Sequence, residues 1–305
     1  MLDVLLSPEV AEAKVDKRPI VALESTLVAH GLPWPENFEL AKQLESIIRG
    51  NGAVPAHIAL VDGRPCIGLS TATLERIAHD GRSFAKAGAT DLAVHMVRHQ
   101  SAATTVSATS VLAARAGIHV FATGGIGGVH RGEAGDVSHD LMALAKTPIA
   151  VVSAGAKAIL DLPRTLELLE TLGVLVLGYR TDEMPAFYTV RSGLRLEHFV
   201  GAPDEAAMIL RRHWCELDVG GVLVCNPIPA EASIDEHVIG IAIDEALRSA
   251  SALGIGGKQL TPYLLAQLAE VTGGASIRAN RALARHNAQV AADIAIALGA
   301  IDLDC

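Results

Sequence analysis

The sequence is poor in aromatic residues, in cysteines and in clustered basic residues, and each absence excludes a class of protein. Aromatic residues make up 3% of the 305 residues, which argues against a surface that stacks nucleic-acid bases in series. Lys and Arg number 25 against 34 Asp and Glu, a net charge of −9, and no basic block occurs, so no nucleic-acid partner is expected. The four cysteines lack a CxxC pair, which argues against a disulfide scaffold or a cysteine zinc site.

Long hydrophobic runs are also missing. No segment reaches the roughly 18 consecutive apolar residues that suggest a membrane span. The acidic Asp3 stands where a signal peptide would carry basic residues. We therefore expect a cytoplasmic protein with no membrane segment. Half of the residues are nonetheless hydrophobic, so burial can offset the entropy of ordering and the chain is expected to fold around a core.

Short apolar runs alternate along the chain with stretches of helical periodicity. The runs are continuous rather than alternating, which is typical of strands covered by helices on both faces. We predict a single-domain α/β fold of three layers, with a mixed, mostly parallel central sheet between helices. Residues 1–17 are interpreted as an N-terminal extension and residues 18–305 as the catalytic domain. Strands are predicted at residues 19–23, 56–61, 92–96, 118–122, 149–153, 174–177 and 221–225.

Two chemically reactive side chains follow predicted strands, where open α/β sheets bind their ligands. Glu24 follows residues 19–23; a carboxyl group leaving a buried strand is a candidate general acid or base with a raised pKa. The alternative is a helix cap or a buried hydrogen-bonding acid. Lys157 follows residues 149–153 and a glycine. A desolvated lysine there is a candidate Schiff-base nucleophile, and the alternative is a lysine that extends to solvent.

A glycine-rich run, GGIGGVHRG at residues 124–132, follows another predicted strand. Its glycines allow the backbone to approach a ligand closely, and His130 and Arg131 could meet a phosphate. The run is neither a GxGxxG helix start nor a P-loop. The alternative interpretation is a flexible loop.

Further candidates are two carboxylates, a lysine and an amide. Asp136 and Asp140 would share a helix face if the segment is helical, and their oxygens suit Mg²⁺ or Mn²⁺. Asp136 or Ser138 could instead be a helix N-cap. Lys86 could hold an anion or be a solvated surface lysine. Asn280 could reach a site as an amide or belong to a helix start.

Read together, these stretches resemble the pseudouridine-5′-phosphate glycosidase family. The matching segments are VALESTLVAHGLPWPEN, FATGGIGGVHRG, DVSHDL, VVSAGAKAILDLPRTLELLETLGV, GGVLVCNPIP and TPYLLAQLAEVTGGASIRAN, in the family's order over roughly residues 18–298. The resemblance implies a trimeric α/β enzyme that uses Mn²⁺. It also implies cleavage of the C–C glycosidic bond of pseudouridine 5′-phosphate to uracil and ribose 5-phosphate, in the carbon–oxygen lyase class.

The resemblance assigns roles to individual residues. Glu24 matches the family's proton donor, Lys157 its nucleophile and Asp136 its metal ligand. Two departures from the family pattern occur: the loop between Arg131 and Asp136 is shorter than in relatives, and His139 stands where a small residue is more common. Substrate-contacting or further active-site positions are matched by Lys86, Val106, Ser138, His139, Asp140, Thr123, His130 and Asn280.

The chemistry explains why a lysine is needed. A C–C link to uracil has a poor leaving group, so an imine with C1′ of the opened ribose serves as the electron sink. In the expected sequence of steps, Glu24 protonates the ring oxygen, Lys157 attacks C1′, a proton reaches C5 of uracil, and water hydrolyses the imine. The metal at Asp136 is expected to hold phosphate, and Lys86 with the glycine-loop amides to complete its neutralisation.

Two other functions remain open from the residues alone. A ribokinase-like sugar or nucleoside kinase would need a catalytic Asp in a GAGD-type loop near the C-terminus. Here GEAGD (residues 132–136) lies mid-chain and TGGAS (residues 272–276) lacks the Asp. A non-catalytic sugar-phosphate sensor would keep the pocket, but the retention of Glu24, Asp136 and Lys157 together argues against it.

Overall fold

The computed structural model describes residues 3–131, 135–256 and 260–301. The strands are β1 Leu5–Leu6, β2 Ile20–Glu24, β3 Val54–Val61, β4 Arg64–Ile67, β5 Ala85–Ala87, β6 Ala102–Thr104, β7 Val120–Ala122, β8 Val129–His130, β9 Ala150–Ser153, β10 Leu160–Asp161, β11 Leu175–Tyr179, β12 His198–Val200 and β13 Val222–Cys225. The helices are α1 Pro8–Val15, α2 Glu36–Gly50, α3 Thr71–His79, α4 Leu92–Val97, α5 Val106–Arg115, α6 His139–Lys146, α7 Leu162–Thr171, α8 Pro203–Arg211, α9 Glu236–Ala252, α10 Leu260–Val271 and α11 Ala275–Gly299.

One large sheet forms the centre of the molecule. Its strand order is β1-β4-β3-β2-β7-β9-β13-β11-β12, with β6 beside β3 and β5 beside β6. The run from β3 to β12 is parallel, whereas β4 and β6 pair antiparallel with β3. The predicted mixed, mostly parallel sheet is therefore confirmed. Strands β9 and β13 are buried at every residue, as their continuous apolar sequences predict.

Helices cover both faces of this sheet, which confirms the three-layer prediction. Helix α11 packs against β2, β7 and β9 and against α2 and α8, while α5 packs against β2, β3 and α6. The core is aliphatic, with Phe121 as its largest fully buried side chain. Among the described residues, no helix has both the length and the apolar content required to cross a bilayer.

Residues 92–96, predicted to be a strand, form helix α4 instead. Of its six residues only Leu92 is buried, so the segment lies on the surface and one side faces the core. A short apolar stretch cannot be assigned to strand or helix from its sequence. The other six predicted strands match observed strands within a few residues.

The N-terminal segment is joined to the sheet. Strand β1 pairs in parallel with β4, so that Leu5 lies opposite Cys66. In α1, Val10 and Ala13 are completely buried. This segment therefore extends the edge of the sheet and contributes to the core.

The neighbouring strands β2, β7 and β9 end at the same level. Leu23 of β2 lies opposite Ala122 of β7, which lies opposite Val152 of β9. The residues that follow these positions leave the sheet side by side at its carboxyl edge. That edge is where ligands bind in open α/β sheets.

Candidate active site

A cavity with two lobes opens at the carboxyl ends of β2, β7 and β9. The wide lobe has a volume of about 250 Å³ and the narrow lobe about 50 Å³. Glu24, Thr26, Lys86, Lys157 and Thr261 border both lobes. The eleven residues to which the family resemblance assigns roles all line this cavity, whereas Arg131 does not: Glu24, Lys86, Val106, His130, Asp136, Ser138, His139, Asp140 and Lys157 border the wide lobe, and Thr123 and Asn280 the narrow one.

Glu24, the last residue of β2, is buried where the two lobes meet. Only 8% of its surface is exposed, and its Oε1 accepts a hydrogen bond of 2.5 Å from Thr123 Oγ1. Burial raises the pKa of Glu24, against the opposing effects of the Lys157 charge, the Thr123 hydrogen bond and the Lys86 charge. Glu24 therefore keeps its proton at higher pH than an ordinary glutamate, as a general acid requires.

Lys157 lies just beyond β9, after a turn that requires glycine. Gly155 has φ +75°, and a Cβ there would stand 2.6 Å from the carbonyl oxygen of Pro185. The Lys157 N–H donates to the Ile126 carbonyl at 3.1 Å, which fixes the backbone of the lysine beside the glycine-rich run. The half-buried side chain borders both lobes, and its charge acts on Glu24.

Asp140 ties two walls of the wide lobe together. Its Oδ1 accepts from the Ser107 N–H at 2.8 Å and its Oδ2 from the Gly127 N–H at 2.9 Å. The side chain is 5% exposed. The carboxylate thus holds the start of α5 against the glycine-rich run.

The glycine-rich run packs against protein side chains. A Cβ on Gly125 would meet the Phe187 ring at 2.7 Å, and one on Gly128 would meet Thr165 Oγ1 at 2.4 Å. The N–H groups of Ile126, Gly127, Val129 and His130 all donate to groups within the protein. The expectation that the amides of this run neutralise a phosphate is therefore wrong for these four positions.

Arg131 is also committed within the protein. Its Nε donates to the Leu160 carbonyl and its Nη2 to the Ala158 carbonyl, both at 3.1 Å. Its Nη1 lies 3.4 Å from Asp244 Oδ1. The arginine therefore fastens residues 158–160 and does not serve as the phosphate ligand suggested by the sequence.

Two helix N-termini border the wide lobe. Val106 is the first residue of α5, and Ser138 is the N-cap of α6, where its Oγ accepts from the Asp140 N–H. Both border the wide lobe beside Lys86. Helix N-termini attract anions through their free N–H groups and their dipoles. The N-cap alternative for Ser138 is confirmed, and Asp136 lies before α6, so it shares no helix face with Asp140.

Asp136 and His130 form a polar pair in the wide lobe. His130 Nε2 lies 4.0 Å from Asp136 Oδ2. Burial lowers the pKa of His130, and the Lys157 and Lys86 charges reinforce this effect while Asp136 opposes it. The described residues contain no group of three His, Cys, Asp or Glu side chains that could hold a metal ion. Residues 132–134 of the short loop before Asp136 lie outside the described residues. They include most of the GEAGD segment.

The donor set at Asp136 fits a largely hydrated divalent ion. About half of the Asp136 side chain is exposed, whereas both oxygens of Asp140 are already occupied by backbone N–H groups. Mg²⁺-like cations commonly keep several waters and use one or two carboxylates together with a substrate phosphate. The half-exposed carboxylate of Asp136, at the wall of the wide lobe, meets that requirement.

The narrow lobe is mainly apolar, and one side-chain amide oxygen in it has no partner among the described residues. Asn280 of α11 is 5% exposed, and within the described residues its Oδ1 has no hydrogen-bond partner. Apolar walls come from Leu27, Phe187, Pro262 and Leu265. A flat ligand with hydrogen-bonding edges suits such a lobe.

Some lining residues were not found from the sequence. Thr26 and Ser107 stand close to residues that were singled out, so the same strand-end and helix-start arguments would have found them. Phe187 has φ +65° in the irregular segment between β11 and β12 and carries no sequence signal. Thr261 is the second residue of α10 and lies in a segment that matches the family, but no role was assigned to it.

Comparisons with known proteins agree over nearly the whole chain. The profile of the family described as "Indigoidine synthase A like protein" matches residues 9–297. A pseudouridine-5′-phosphate glycosidase of Caldanaerobacter subterraneus subsp. tengcongensis is 52% identical over 295 residues, 96% of each sequence. A protein of that name from Arabidopsis thaliana is 47% identical over 297 residues, 97% of this chain and 90% of the relative.

Two crystal structures share the fold. The prealnumycin C-glycosynthase in complex with ribulose 5-phosphate has a TM-score of 0.89 and 41% identity over 98% of each chain. An indigoidine synthase A-like protein of Thermotoga maritima has a TM-score of 0.89 and 34% identity over 98% of this chain and 97% of its own.

Proposed function

The chain belongs to the indigoidine synthase A-like family, and on that premise we propose that it is a pseudouridine-5′-phosphate glycosidase. In this reaction the bond between C1′ of the ribose and C5 of uracil is reversibly cleaved, and uracil and ribose 5-phosphate are formed. The relatives of that name and the C-glycosynthase crystallised with a sugar phosphate support the proposal. The observation that carries it is the meeting of Lys157 and a buried Glu24 with raised pKa at the junction of two lobes.

The proposed reaction begins with opening of the sugar ring. Glu24 donates its proton to O4′ while the C1′–O4′ bond breaks and uracil N1 loses its proton, so that C1′ becomes electrophilic. The unprotonated Nζ of Lys157 then adds to C1′, and the electron pair displaced by this addition returns to N1. N1 takes back a proton as the nitrogen of Lys157 loses one. The raised pKa of Glu24 keeps the required proton available. General acid–base help is worth about 10²–10⁴-fold, so the covalent step must lower the remaining barrier.

Cleavage of the C–C bond follows from the amine at C1′. A proton is delivered to C5, the C1′–C5 bond breaks, and its electron pair enters the uracil ring. The nitrogen lone pair forms the C=N bond of an imine between Lys157 and the opened sugar. Water adds to the imine and releases ribose 5-phosphate and the free lysine. The overall reaction consumes one water per uracil released, so that the reverse synthesis eliminates water, in agreement with the lyase class.

The wide lobe suits the phosphate and the narrow lobe the base. Lys86 and the N-termini of α5 and α6 supply positive potential around the wide lobe. In the narrow lobe, Asn280 offers an unpaired amide oxygen to an N–H of uracil. With the sugar between the lobes, C1′ lies near Lys157 and Glu24, which border both.

A divalent cation, Mn²⁺ by family resemblance, would be held by Asp136. There it would supply positive charge for the phosphate and hold ordered water. His130 is the other polar group near this position. It positions the Asp136 carboxylate or a bound water.

Assembly and location are proposed from the family resemblance. We propose a homotrimer that works in the cytoplasm on small molecules, with no nucleic acid or membrane partner. Size-exclusion chromatography with light scattering tests the assembly: a mass three times that of the 31.8 kDa chain supports the trimer, and any other stable mass contradicts it.

The activity is tested by incubating the purified protein with pseudouridine 5′-phosphate and Mn²⁺, with and without EDTA, and measuring uracil by chromatography. Uracil release that EDTA abolishes and Mn²⁺ restores supports the proposal. Absence of release, and of synthesis from uracil and ribose 5-phosphate, contradicts it. In that case ATP-dependent phosphorylation of ribose tests the kinase alternative, and calorimetric binding of ribose 5-phosphate without turnover indicates a sensor.

A further inference from the structure

A pair of buried asparagines lies behind the cavity wall. Asn287, near the middle of α11, is completely buried, and Asn226, which follows β13, is 1% exposed. The Asn226 Nδ2 donates to Asn287 Oδ1 at 2.9 Å. The Asn287 Nδ2 donates to the Thr123 carbonyl at 2.8 Å and lies 3.4 Å from the Gly124 carbonyl. Every polar atom of the Asn287 amide is thereby used.

This pair connects three neighbouring strands to one helix. Thr123 follows β7, and its N–H donates to the Val152 carbonyl of β9. The Asn226 N–H donates to the Ser153 carbonyl at the end of β9. The amide of Asn287 therefore lies at the ends of β7, β9 and β13, which are adjacent in the sheet. A buried amide costs free energy when it loses its hydrogen-bond partners. Movement of the Thr123 carbonyl away from Asn287 is therefore unfavourable, and Thr123 is held in one position.

The fixed residue is the one that contacts Glu24. The backbone carbonyl of Thr123 is held by Asn287, while its side-chain hydroxyl donates to Glu24 Oε1. Asn280 lies seven residues before Asn287, two helical turns along the same face of α11. The helix thus presents one asparagine to the narrow lobe and uses a second to hold the wall behind it.

We propose that Asn287, oriented by Asn226, is a positioning residue that sets the Thr123 hydroxyl on Glu24 and so controls the protonation of that acid. The inference rests on the proposed function only for the catalytic consequence, because the titration of Glu24 can be measured without turnover. A hydrogen bond to a carboxylate stabilises its charged form. Loss of the Asn287 amide displaces Thr123, weakens that bond, and moves the titration of Glu24 to higher pH.

The first measurement is the titration of Glu24 in the absence of substrate. Isotope-edited infrared difference spectra between each protein and its Glu24→Gln counterpart report the protonated carboxyl band. We expect Asn287→Ala to shift the midpoint to higher pH, in the same direction as Thr123→Val. In the Thr123→Val background, Asn287→Ala is expected to shift the midpoint little further, because both changes remove the same hydrogen bond to Glu24. An unshifted midpoint, or full additivity of the two shifts, overturns the proposal.

The second measurement is the kinetics of uracil release. We expect Asn287→Ala to lower kcat by about tenfold to a hundredfold, the scale of a misplacement near 1 Å, with KM changed by less than about threefold. The pH at which kcat falls on the alkaline side of its pH profile should rise together with the infrared midpoint. If wild-type protein releases no uracil, the proposed function fails while the infrared result still decides the positioning role.

Asn37 provides the matched control. It is 2% exposed, and its Nδ2 donates to the carbonyls of Val28 and Ala78, so it resembles Asn287 in burial and bonding. Asn37→Ala should lower the melting temperature without shifting the Glu24 midpoint. The same pattern in Asn287→Ala identifies a merely structural role and overturns the proposal. If Asn287→Ala does not fold, Asn226→Ala, which leaves the Asn287 donor in place, carries the test with a smaller shift in the same direction.

Discussion

The hydroxyl of Thr123 donates a hydrogen bond of 2.5 Å to Oε1 of Glu24, between the neighbouring ends of β7 and β2. The contact follows from register: Leu23 and Ala122 lie opposite each other in the parallel pair, so the next residues leave the sheet together. Burial raises the pKa of Glu24 and this hydrogen bond opposes the rise. The pair therefore sets the pH range in which Glu24 can donate a proton.

Removing the hydroxyl should extend activity to higher pH. In Thr123→Val the carboxylate loses a donor, so the pKa of Glu24 rises further and its acid form persists to higher pH. Since the acid form is the active one, the alkaline limb of the kcat profile should shift to higher pH. This is checked by measuring kcat for uracil release as a function of pH in the wild-type protein and in Thr123→Val. An alkaline limb that stays at the same pH or shifts to lower pH contradicts the assignment of Glu24 as the acid.

Glu24→Gln should separate binding from turnover. The amide keeps the shape of the side chain but has no proton to donate to O4′, so kcat should fall by about 10²–10⁴-fold. Binding of ribose 5-phosphate, followed by calorimetry, should stay within about threefold. Normal kinetics in this variant would remove Glu24 from the mechanism.

The close approach of Gly127 to Asp140 gives a prediction about the wide lobe. A Cβ at Gly127 would lie 2.3 Å from Ser138 Oγ and 2.8 Å from Asp140 Oδ2. Gly127→Ala should therefore break the link between the glycine run and α5, and both the melting temperature and the affinity for ribose 5-phosphate should fall.

Gly240→Ala is the control for that change. Gly240 lies within α9 and a Cβ there meets nothing within 4 Å, so alanine should be neutral or stabilise by about 0.5–1 kcal/mol. If the two substitutions have equal effects on affinity, the proposed role of the Gly127 contact is wrong.

Buried His57 should make the fold sensitive to acid. It lies on β3 at 1% exposure, and burial lowers its pKa from 6.5. The folded state therefore holds it neutral, while the unfolded chain gains a proton below pH 6.5. The stability that depends on neutral His57 is complete above pH 6.5 and is lost as the pH falls towards the pKa of the folded state.

His57→Leu should flatten this dependence. One proton accounts for a slope of at most about 1.4 kcal/mol per pH unit, so the difference in unfolding free energy between pH 7 and pH 5 should shrink without vanishing. Burial also lowers the pKa values of the half-buried His30 and His119, so these residues continue to contribute. Urea unfolding at both pH values tests this, and an unchanged difference would show that His57 is not a source of acid sensitivity.

The fold could be predicted because its strands are buried on both faces. Continuous apolar runs such as residues 149–153 indicate that burial directly, and β9 is buried throughout. The strand-end argument then located Glu24 and Lys157. The order of the strands could not be predicted, since it depends on contacts between distant segments.

The parts of the site that sequence analysis misjudged depend on tertiary contacts. Arg131 looked available to a phosphate, but the carbonyls of Ala158 and Leu160 come within reach only in the folded chain. The glycine run looked like a ligand cradle, yet its glycines are required by Phe187 and Thr165, which lie far along the sequence. Asn287 carried no signal, because a single asparagine in an alanine-rich helix does not show what it will contact.

The proposed reaction depends above all on a covalent bond between Lys157 and C1′ of the sugar. It is tested most directly by adding cyanoborohydride during turnover of pseudouridine 5′-phosphate and locating modified residues by peptide mass spectrometry. We expect a reduced ribose 5-phosphate adduct on Lys157, and we expect the folded Lys157→Ala variant to form no adduct and to release almost no uracil. Uracil release by Lys157→Ala at a rate close to wild type, with no adduct on Lys157 in the wild-type protein, would contradict it.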